Sequence, residues 1–384
     1  MAALPEFISM YKSLIALPSV SCLNPQWDMS NEKVIQQLGQ WLEGLGFHVQ
    51  IEPLSSQPNK FNLLAHIGPA HAQGGLLLSG HTDTVPWDEG RWTRDPFTLT
   101  EADGKLYGLG SADMKGFFVF VLEALKNIDL SKLTKPIYVL ATADEETSMA
   151  GARELSKFPN LKPDYAIIGE PTSMTPVRMH KGHSTDCVRI LGKSGHSSDP
   201  EAGVNAIDIM HEVLGELKVL KSHLKDNYHE PAFKVPYPTM NFGHIHGGDA
   251  ANRICACCEL HMDMRPLPGM SVDLLSELLH QQLSEIQKRF PNALVIEAMH
   301  EPIPGYQCAA DSALVKMAER VSGQSSQPAN YCTEAPFIDD LGCQTIVMGP
   351  GSINQAHQPD EFIRLDEIKP SLNMIERMIK EMCL

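Results

Sequence analysis

The sequence has no apolar run long enough to cross a membrane. The longest run, Phe117–Leu122, falls far short of the roughly 18 residues that a membrane-spanning helix needs. The segment Met1–Ile15 has neither a basic leader nor a long apolar core followed by a small-residue cleavage site, which are the marks of a secretory signal. We therefore expect a cytoplasmic protein with no membrane partner.

Basic residues are in short supply. The chain has 31 Lys and Arg against 47 Asp and Glu, for a formal net charge of −16. Such a surface repels phosphate backbones and anionic lipids, which argues against nucleic acid as a partner. A metal ion or a cationic substrate is favoured instead.

Cysteine is irregularly placed along the chain. The nine cysteines form an odd number without repeat spacing, which predicts reduced and mostly buried thiols rather than a disulfide framework. The densest group, Cys255, Cys257 and Cys258, has no matching Cys or His pair downstream. We interpret it as small residues on a buried strand, Arg253–Met264, in preference to half of a zinc site.

The first half of the chain alternates helical and extended patterns, without internal repeats or low-complexity segments. Ser30 is placed to cap a helix that ends at Gly46, and a strand is predicted at His48–Pro53. Apolar runs bounded by turn residues predict buried strands at Gly75–Ser79, Pro136–Ala143 and Tyr165–Gly169, with helices at Lys115–Ile128 and Ser148–Phe158. This order is typical of an α/β fold with a mostly parallel central sheet.

A segment of different character follows. Residues 182–300 predict a compact α+β insert, whose strands and helices are Ser184–Leu191, Gly203–Lys225, Thr239–His246, Ile254–Met264, Ser271–Phe290 and Leu294–Ala298. Alternation of helix and strand then resumes, with a strand at Thr345–Met348 and a terminal helix at Pro370–Glu381. The sequence predicts one domain over 1–181 and 301–384, interrupted by a smaller domain over 182–300.

Imidazoles and carboxylates follow the ends of the predicted buried strands. They are His81 and Asp83, Asp113 in a Gly-rich turn, the run Asp144–Glu146, Glu170, and His357 beyond a Gly/Pro loop. Singly, Asp113 could be a helix cap and the acidic run a solvated loop. Together they predict a ligand site, because open α/β sheets bind ligands at the carboxyl ends of their strands.

The residue types indicate the chemistry. Two imidazoles and several carboxylates, with no sulfur among them, suit a pair of zinc or cobalt ions with one bridging carboxylate and an activated water. A glutamate beside the metals that is not a ligand could carry the proton. Hydrolysis of an amide is the reaction that such a site performs most naturally.

These segments resemble the dimetal peptidase M20 family. The resemblance rests on His81–Pro86, Gly110–Gly116, Asp144–Glu146, Glu170–Thr172 and Gly195–Ser198, and further on Gly90–Phe97, His244–Asp249, Asn330–Phe337, Pro350–Asn354 and His357–Glu361. It spans nearly the whole chain. It implies a catalytic domain built on the central sheet, a lid and dimerisation domain formed by the insert, and a homodimer.

The resemblance also implies a role for each site residue. His81 and Glu170 would bind one metal, Glu146 and His357 the other, and Asp113 would bridge them. Asp83 would orient His81, Glu145 would be the general base, and His196 would be a lid histidine that reaches the scissile carbonyl oxygen, often from the partner subunit. Some members have Asp where this chain has Glu170. The peptide bond between Asp113 and Met114 would be cis.

Within the family, the chain most resembles members that deacetylate N2-acetyl-L-ornithine in arginine biosynthesis. We expect that reaction, with two Zn²⁺ and with Co²⁺ as a possible substitute. A selective pocket needs an acid for the substrate amine and donors for its carboxylate. Our candidates are Glu334 for the amine, Asn354 in the loop before His357, and Arg265, which is the weaker one because it could instead form a structural ion pair.

The sequence is compatible with three other functions. The metal ligands do not select the acyl group, so the family resemblance also allows a succinyl-diaminopimelate desuccinylase, or another peptidase or aminoacylase of the family. A catalytically silent metal-binding protein is more remote, because such a protein would be expected to have lost Glu145 while keeping the metal ligands.

Overall fold

The structure is a computed structural model that describes residues 4–70 and 72–384. It divides into two compact units. Unit 1 comprises the described residues of the ranges 1–178, 308–327 and 333–384, and unit 2 comprises residues 179–307 and 328–332. The sequence placed the corresponding boundaries at 181/182 and 300/301, and it did not assign residues 328–332 to the insert.

The described residues form these regular elements. The α-helices are α1 Phe7–Ile15, α2 Glu32–Gly44, α3 Lys115–Lys126, α4 Ala150–Arg153, α5 Ala206–Asn227, α6 Val272–Arg289, α7 Ala313–Ser322, α8 Ala335–Asp339 and α9 Leu365–Cys383. The strands are β1 His48–Pro53, β2 Phe61–Ile67, β3 Leu76–His81, β4 Thr100–Ala102, β5 Lys105–Tyr107, β6 Ile137–Thr142, β7 Tyr165–Pro171, β8 Val177–His180, β9 Ser184–Leu191, β10 Thr239–Gly247, β11 Cys257–Arg265, β12 Leu294–Ala298, β13 Tyr306–Gln307, β14 Gln327–Ala329, β15 Gln344–Gly349 and β16 Phe362–Arg364.

Unit 1 is built on a large sheet. Six strands of this sheet are neighbours in the order β1-β2-β6-β3-β7-β15. The pairings β6/β3, β3/β7 and β7/β15 are parallel, whereas β1/β2 and β2/β6 are antiparallel. Strands β3 and β6 are buried along their whole length, as expected for parallel strands covered on both faces. The α/β class with a mostly parallel sheet is thus confirmed.

Helix α3 begins directly after the Asp113 turn and is almost entirely buried. Its buried residues run from Lys115 through Leu122 and include Ala124 and Leu125. A helix that is apolar all round must be covered on every side, and α3 contacts β3, α1 and α9. The start of α3, and with it the Asp113 turn, is therefore held against the sheet.

Unit 2 is an α+β unit, as the sequence predicted. Its antiparallel sheet has the order β10-β11-β9-β12. Helices α5 and α6 pack on one face, where Val188, Leu260 and Met262 join the apolar core. Side chains that alternate with these along the strands, such as Glu259 and His261, remain partly exposed on the other face.

Two expectations for the helices were wrong in detail. The segment predicted as one helix over 148–158 is the short helix α4 followed by a 3-10 turn, Leu155–Lys157. Met149 precedes α4 with a left-handed backbone (φ 54°), which an α-helix cannot contain. The terminal helix begins at Leu365, before Pro370. Pro370 therefore lies inside this helix and not at its start.

Other local expectations can be compared directly. The Asp113–Met114 peptide bond is cis, as the resemblance implied. All nine cysteines are free, and Cys255 and Cys258 are buried, whereas Cys257 is exposed. None of the described helices combines the length and apolar composition needed to span a bilayer.

Two glycines give opposite stability predictions. A Cβ at Gly169 would lie 2.2 Å from a Phe117 ring carbon. Because overpacking of a core costs about 1–3 kcal/mol, Gly169→Ala is expected to lower the melting temperature.

In α5, a Cβ at Gly215 meets nothing within 4 Å. Alanine there is expected to stabilise the helix by about 0.5–1 kcal/mol. Scanning calorimetry of both variants checks the signs, and a stabilised Gly169→Ala would contradict the packing described.

Candidate active site

The candidate site lies at the carboxyl edge of the unit 1 sheet. Strand β3 ends at His81, β6 ends two residues before Asp144, and β7 carries Glu170 near its end. Because β6, β3 and β7 are neighbouring parallel strands, their carboxyl ends share one edge. The acidic run and His81 are therefore adjacent although they are far apart in sequence.

Asp113 lies between the two predicted imidazole ligands. Its Oδ1 is 3.2 Å from His81 Nε2, and its Oδ2 is 3.5 Å from His357 Nε2. The carboxylate thus presents one oxygen to each imidazole. This is the arrangement that a bridging carboxylate between two cations requires.

Each imidazole also faces a second carboxylate. His357 Nε2 is 3.0 Å from Glu146 Oε2, and His81 Nε2 is 3.9 Å from Glu170 Oε1. One ligating atom each from His81, Asp113 and Glu146 lies within 4.8 Å of the others. The structure brings the five predicted ligands together in two groups that share Asp113.

The carboxyl groups of this site are crowded and poorly solvated. Burial, together with neighbouring negative charges, raises the pKa values of Glu145 and Glu170 well above the ordinary range, and that of Glu146 to a lesser degree. Several buried carboxylates at one edge are tolerable only with compensating positive charge. The donor set, imidazole nitrogen and carboxylate oxygen without sulfur, fits divalent metal ions of the zinc type.

The two histidines already show the effect of this negative surrounding. Burial alone would lower the pKa of His81, but its hydrogen bond to Asp113 and the nearby acids raise that pKa well above its usual value. The hydrogen bond to Glu146 raises the pKa of His357 to about 9. Both shifts have the same physical cause, the negative charge of the carboxylates that face these imidazoles.

Asp83 is placed differently from what the resemblance implied. His81 Nδ1 lies 3.0 Å from the Asp83 backbone carbonyl, whereas the Asp83 carboxylate is 3.6 Å away. Since a carbonyl only accepts, Nδ1 is the donor and Nε2 is left to face Asp113. The Asp83 carboxylate instead accepts the backbone N–H groups of Glu145 and Glu146, at 3.2 and 3.1 Å. It holds the acidic run in place.

Glu361 is a site residue to which sequence reasoning gave no role. Its carboxylate is buried and accepts backbone N–H groups from Gly110, Ala112 and Asp113, at 2.9, 2.6 and 2.9 Å. Burial and the charge of Asp113 raise its pKa to about 8. The only sequence signal was its position at the end of the His357–Glu361 motif. Glu361 fixes the turn that presents Asp113.

Glu334 is fully enclosed at the start of α8. The residue is 1% exposed, and neither carboxylate oxygen meets hydrogen-bond geometry with a described residue, although the nearby Thr142 hydroxyl lowers the pKa against the effect of burial. Burial raises its pKa to about 7. An acid this buried and unpaired is costly unless a cation or a donor meets it. The sequence predicted a loop acid but gave no sign of its burial.

The remaining predicted residues lie outside this cluster or in unit 2. Asn354 is exposed in the 3-10 turn Ile353–Gln355. In unit 2, Arg265 Nε lies 3.0 Å from Asp263 Oδ1, which is the structural ion pair considered as its alternative. His196 is exposed, and its Nδ1 accepts a hydrogen bond from the Ser198 backbone N–H at 3.2 Å.

Known proteins resemble this chain along almost its whole length. The model of Peptidase family M20/M25/M40 matches residues 77–381. An acetylornithine deacetylase from Proteus mirabilis is 59% identical over 381 residues, or 99% of this chain and 98% of that protein.

Solved structures of this kind share the fold. An M20 family metallo-carboxypeptidase from Sulfolobus solfataricus has a TM-score of 0.78 at 20% identity, covering 98% of this chain and 99% of that one. A dinuclear metal-binding peptidase of the M20 family from Bacillus subtilis has a TM-score of 0.67 at 14% identity, covering 98% and 97%.

The role of Glu361 can be tested by metal binding. Glu361→Gln keeps the size of the side chain but replaces one accepting oxygen by an NH₂ group, which cannot accept a backbone N–H. We expect the Asp113 turn to loosen and metal affinity to fall about 10- to 100-fold, as for other groups that orient metal ligands. Isothermal titration with zinc measures this. Glu376→Gln, an acid on helix α9 paired with Lys380, is the matched control, and equal affinity in both variants would contradict the role.

Proposed function

The chain belongs to peptidase family M20/M25/M40, and we propose that it hydrolyses N2-acetyl-L-ornithine to L-ornithine and acetate. The observation that supports this substrate is the match to acetylornithine deacetylases over almost the full length of both chains. The site geometry supports the reaction class, because Asp113 presents one carboxylate oxygen to each of two imidazoles.

We propose that the site holds two zinc ions, for which cobalt could substitute. His81 and Glu170 would hold one ion, Glu146 and His357 the other, and Asp113 both. When bound, the two ions supply an activated water and polarise the acyl carbonyl. The raised pKa values of the buried glutamates support this assignment, since cations at this position would stabilise their ionised forms.

Glu145 is the proposed general base. Its backbone N–H is tied to Asp83, whereas its carboxylate has no hydrogen-bond partner among the described residues. A carboxylate with a pKa raised by burial is suited to accept a proton from the attacking water and to pass it to the leaving amine. Asp83 contributes by positioning the backbone of Glu145 and Glu146.

Recognition of ornithine requires a negative group for the side-chain amine. We assign this to Glu334, because its unpaired and buried carboxylate would gain most from a cationic partner. Asn354 remains a proposed donor for the substrate carboxylate. Arg265 remains the weaker proposal, since Asp263 already pairs with it.

His196 is proposed to donate a hydrogen bond to the acyl oxygen from the partner subunit of a homodimer. With Nδ1 accepting from Ser198, the proton of the neutral ring is placed on Nε2, which has no partner among the described residues. The exposed Nε2–H is thus available as a donor. The family resemblance implies that His196 donates to the site of the partner subunit.

The first test separates catalysis from metal binding. Glu145→Ala is expected to lower turnover of N2-acetyl-L-ornithine by about 10²–10⁴-fold through loss of proton transfer, while the zinc content stays at the wild-type level. Acetate release and elemental analysis are measured on the same samples. Loss of zinc in proportion to activity would make Glu145 a metal ligand.

The wild-type enzyme provides the control for the choice of substrate. Zinc-loaded wild type is given N2-acetyl-L-ornithine or succinyl-diaminopimelate at equal concentration. Faster release of succinate than of acetate would contradict the proposed reaction without affecting the metal assignment.

The role of Glu334 predicts a change of specificity. Glu334→Gln is expected to weaken transition-state binding of N2-acetyl-L-ornithine by about 1.5–3 kcal/mol, the value of a hydrogen bond to a charged group. N-acetyl-methionine, which lacks the amine, should lose much less. The measurement is kcat/KM for both substrates. Equal losses would show that Glu334 supports the loop or the metal site instead.

The role of His196 predicts complementation between subunits. His196→Ala is expected to lose about 10²–10³-fold in turnover, as for removal of one oxyanion donor. Mixing inactive His196→Ala and Glu145→Ala chains, with refolding, should restore part of the activity because some sites receive both intact residues. Near-normal turnover in His196→Ala would refute the role, and absence of restored activity would place the donor within one subunit.

A further inference from the structure

The face of the unit 2 sheet that α5 and α6 do not cover carries a row of metal-ligating side chains. Direct cross-strand partners link His244 to His261, His261 to Cys187, and Cys187 to Glu297. Directly opposed residues of antiparallel strands point to the same face. One row thus brings two imidazoles, a thiol and a carboxylate together across β10, β11, β9 and β12.

Two side chains of this row, Cys187 and His261, converge with the side chain of Glu259 on the two central strands, β9 and β11. One ligating atom from each of Cys187, Glu259 and His261 lies within 4.8 Å of the others. Cys187 is 5% exposed, whereas about one third of the side chains of His261 and Glu259 is exposed, 31% and 32%. The thiol is therefore the most buried group of the cluster, and the His261 and Glu259 side chains lie nearer the solvent.

Arg189 fixes the direction of the Glu259 carboxylate. Its Nε donates to Glu259 Oε1, and its guanidinium also contacts Glu297 at 3.3 Å. The other oxygen, Oε2, is left 3.7 Å from His261 Nε2. In metal sites, a ligating carboxylate commonly accepts a further hydrogen bond from a neighbouring donor. Such donors orient the ligating oxygen.

We propose that Cys187, Glu259 and His261 bind one divalent transition-metal ion of the zinc class, separate from the two ions of unit 1. A thiolate, an imidazole and a carboxylate form the donor set that zinc, cobalt and nickel accept. The thiol disfavours magnesium and calcium, which prefer oxygen ligands. The proposal does not depend on the reaction assigned to unit 1.

His244 is the proposed fourth ligand. Its ring centroid is 4.8 Å from that of His261, and it lies directly opposite His261 on β10. Its exposure leaves the ring free to rotate toward the ion. Zinc with three protein ligands keeps a water in the fourth position, so site assembly does not require His244.

The Cys255–Cys258 segment is distinct from this cluster. The Cys255 thiol donates to the Cys257 carbonyl, with Sγ and O 3.0 Å apart, and Cys258 belongs to the apolar core. Cys257 lies on the open face, opposite Leu191, but is not one of the three converging residues. It therefore offers a matched control cysteine on the same strand face.

Cobalt reports this site without the need for activity. Metal-free protein is titrated with Co²⁺, and the added near-ultraviolet charge-transfer absorption that is characteristic of cobalt–thiolate bonds is recorded. None of the proposed ligands in unit 1 is a cysteine, so ions there do not contribute. We expect a saturable thiolate signal for one ion per chain, absent in Cys187→Ser and retained in Cys257→Ser.

Two further variants test the site at side chains that are not fully buried, so that a loss of folding is not confused with a loss of metal binding. His261→Gln and Glu259→Gln change partly exposed side chains, and each is expected to weaken cobalt binding by at least about 10-fold, the lower end of the effect of losing a group that merely orients a ligand. Circular dichroism confirms that each variant is folded. No thiolate signal in the wild type at saturating cobalt, or a signal that Cys257→Ser removes and Cys187→Ser keeps, would overturn the proposal.

Discussion

The Asp113 carboxylate between His81 and His357 is the contact on which the rest of the site depends. Each of its oxygens faces one imidazole, so a displacement of Asp113 would separate both groups of ligands at once. Backbone hydrogen bonds and a buried helix hold this one side chain in position. Glu361 binds the backbone of its turn, and the buried helix α3 begins directly after it.

Several buried acids lie at this edge of the sheet, and the protein alone does not fully neutralise their negative charge. Burial raises the pKa values of Glu145, Glu170 and Glu334, because each ionised carboxylate is removed from water near others. Metal cations would lower the free-energy cost of ionising Glu145 and Glu170. A cationic substrate would lower that cost for Glu334. Electrostatics thus connects metal binding and the proposed preference for ornithine.

Much of this site could be predicted because parallel strands bring residues at their carboxyl ends together. An apolar run followed by His81, and another followed by Asp144–Glu146, were sufficient to predict adjacency. The partner of His81 Nδ1 could not be predicted, since the choice between the carbonyl and the carboxylate of Asp83 depends on local backbone direction. Glu361 was assigned no role because its backbone partners lie some 250 positions away in sequence. The cross-strand cluster around Cys187 depends on strand register, which sequence spacing alone does not give.

The proposed bridging of two metal ions by Asp113 can be tested by anomalous diffraction at the zinc absorption edge. Crystals of the zinc-loaded protein are expected to show two peaks at this edge of the sheet, about 3.5–4 Å apart. One peak should lie at His81 and Glu170, the other at Glu146 and His357, with one Asp113 oxygen on each. A single peak, or two peaks of which Asp113 contacts only one, would contradict a bridging role for Asp113.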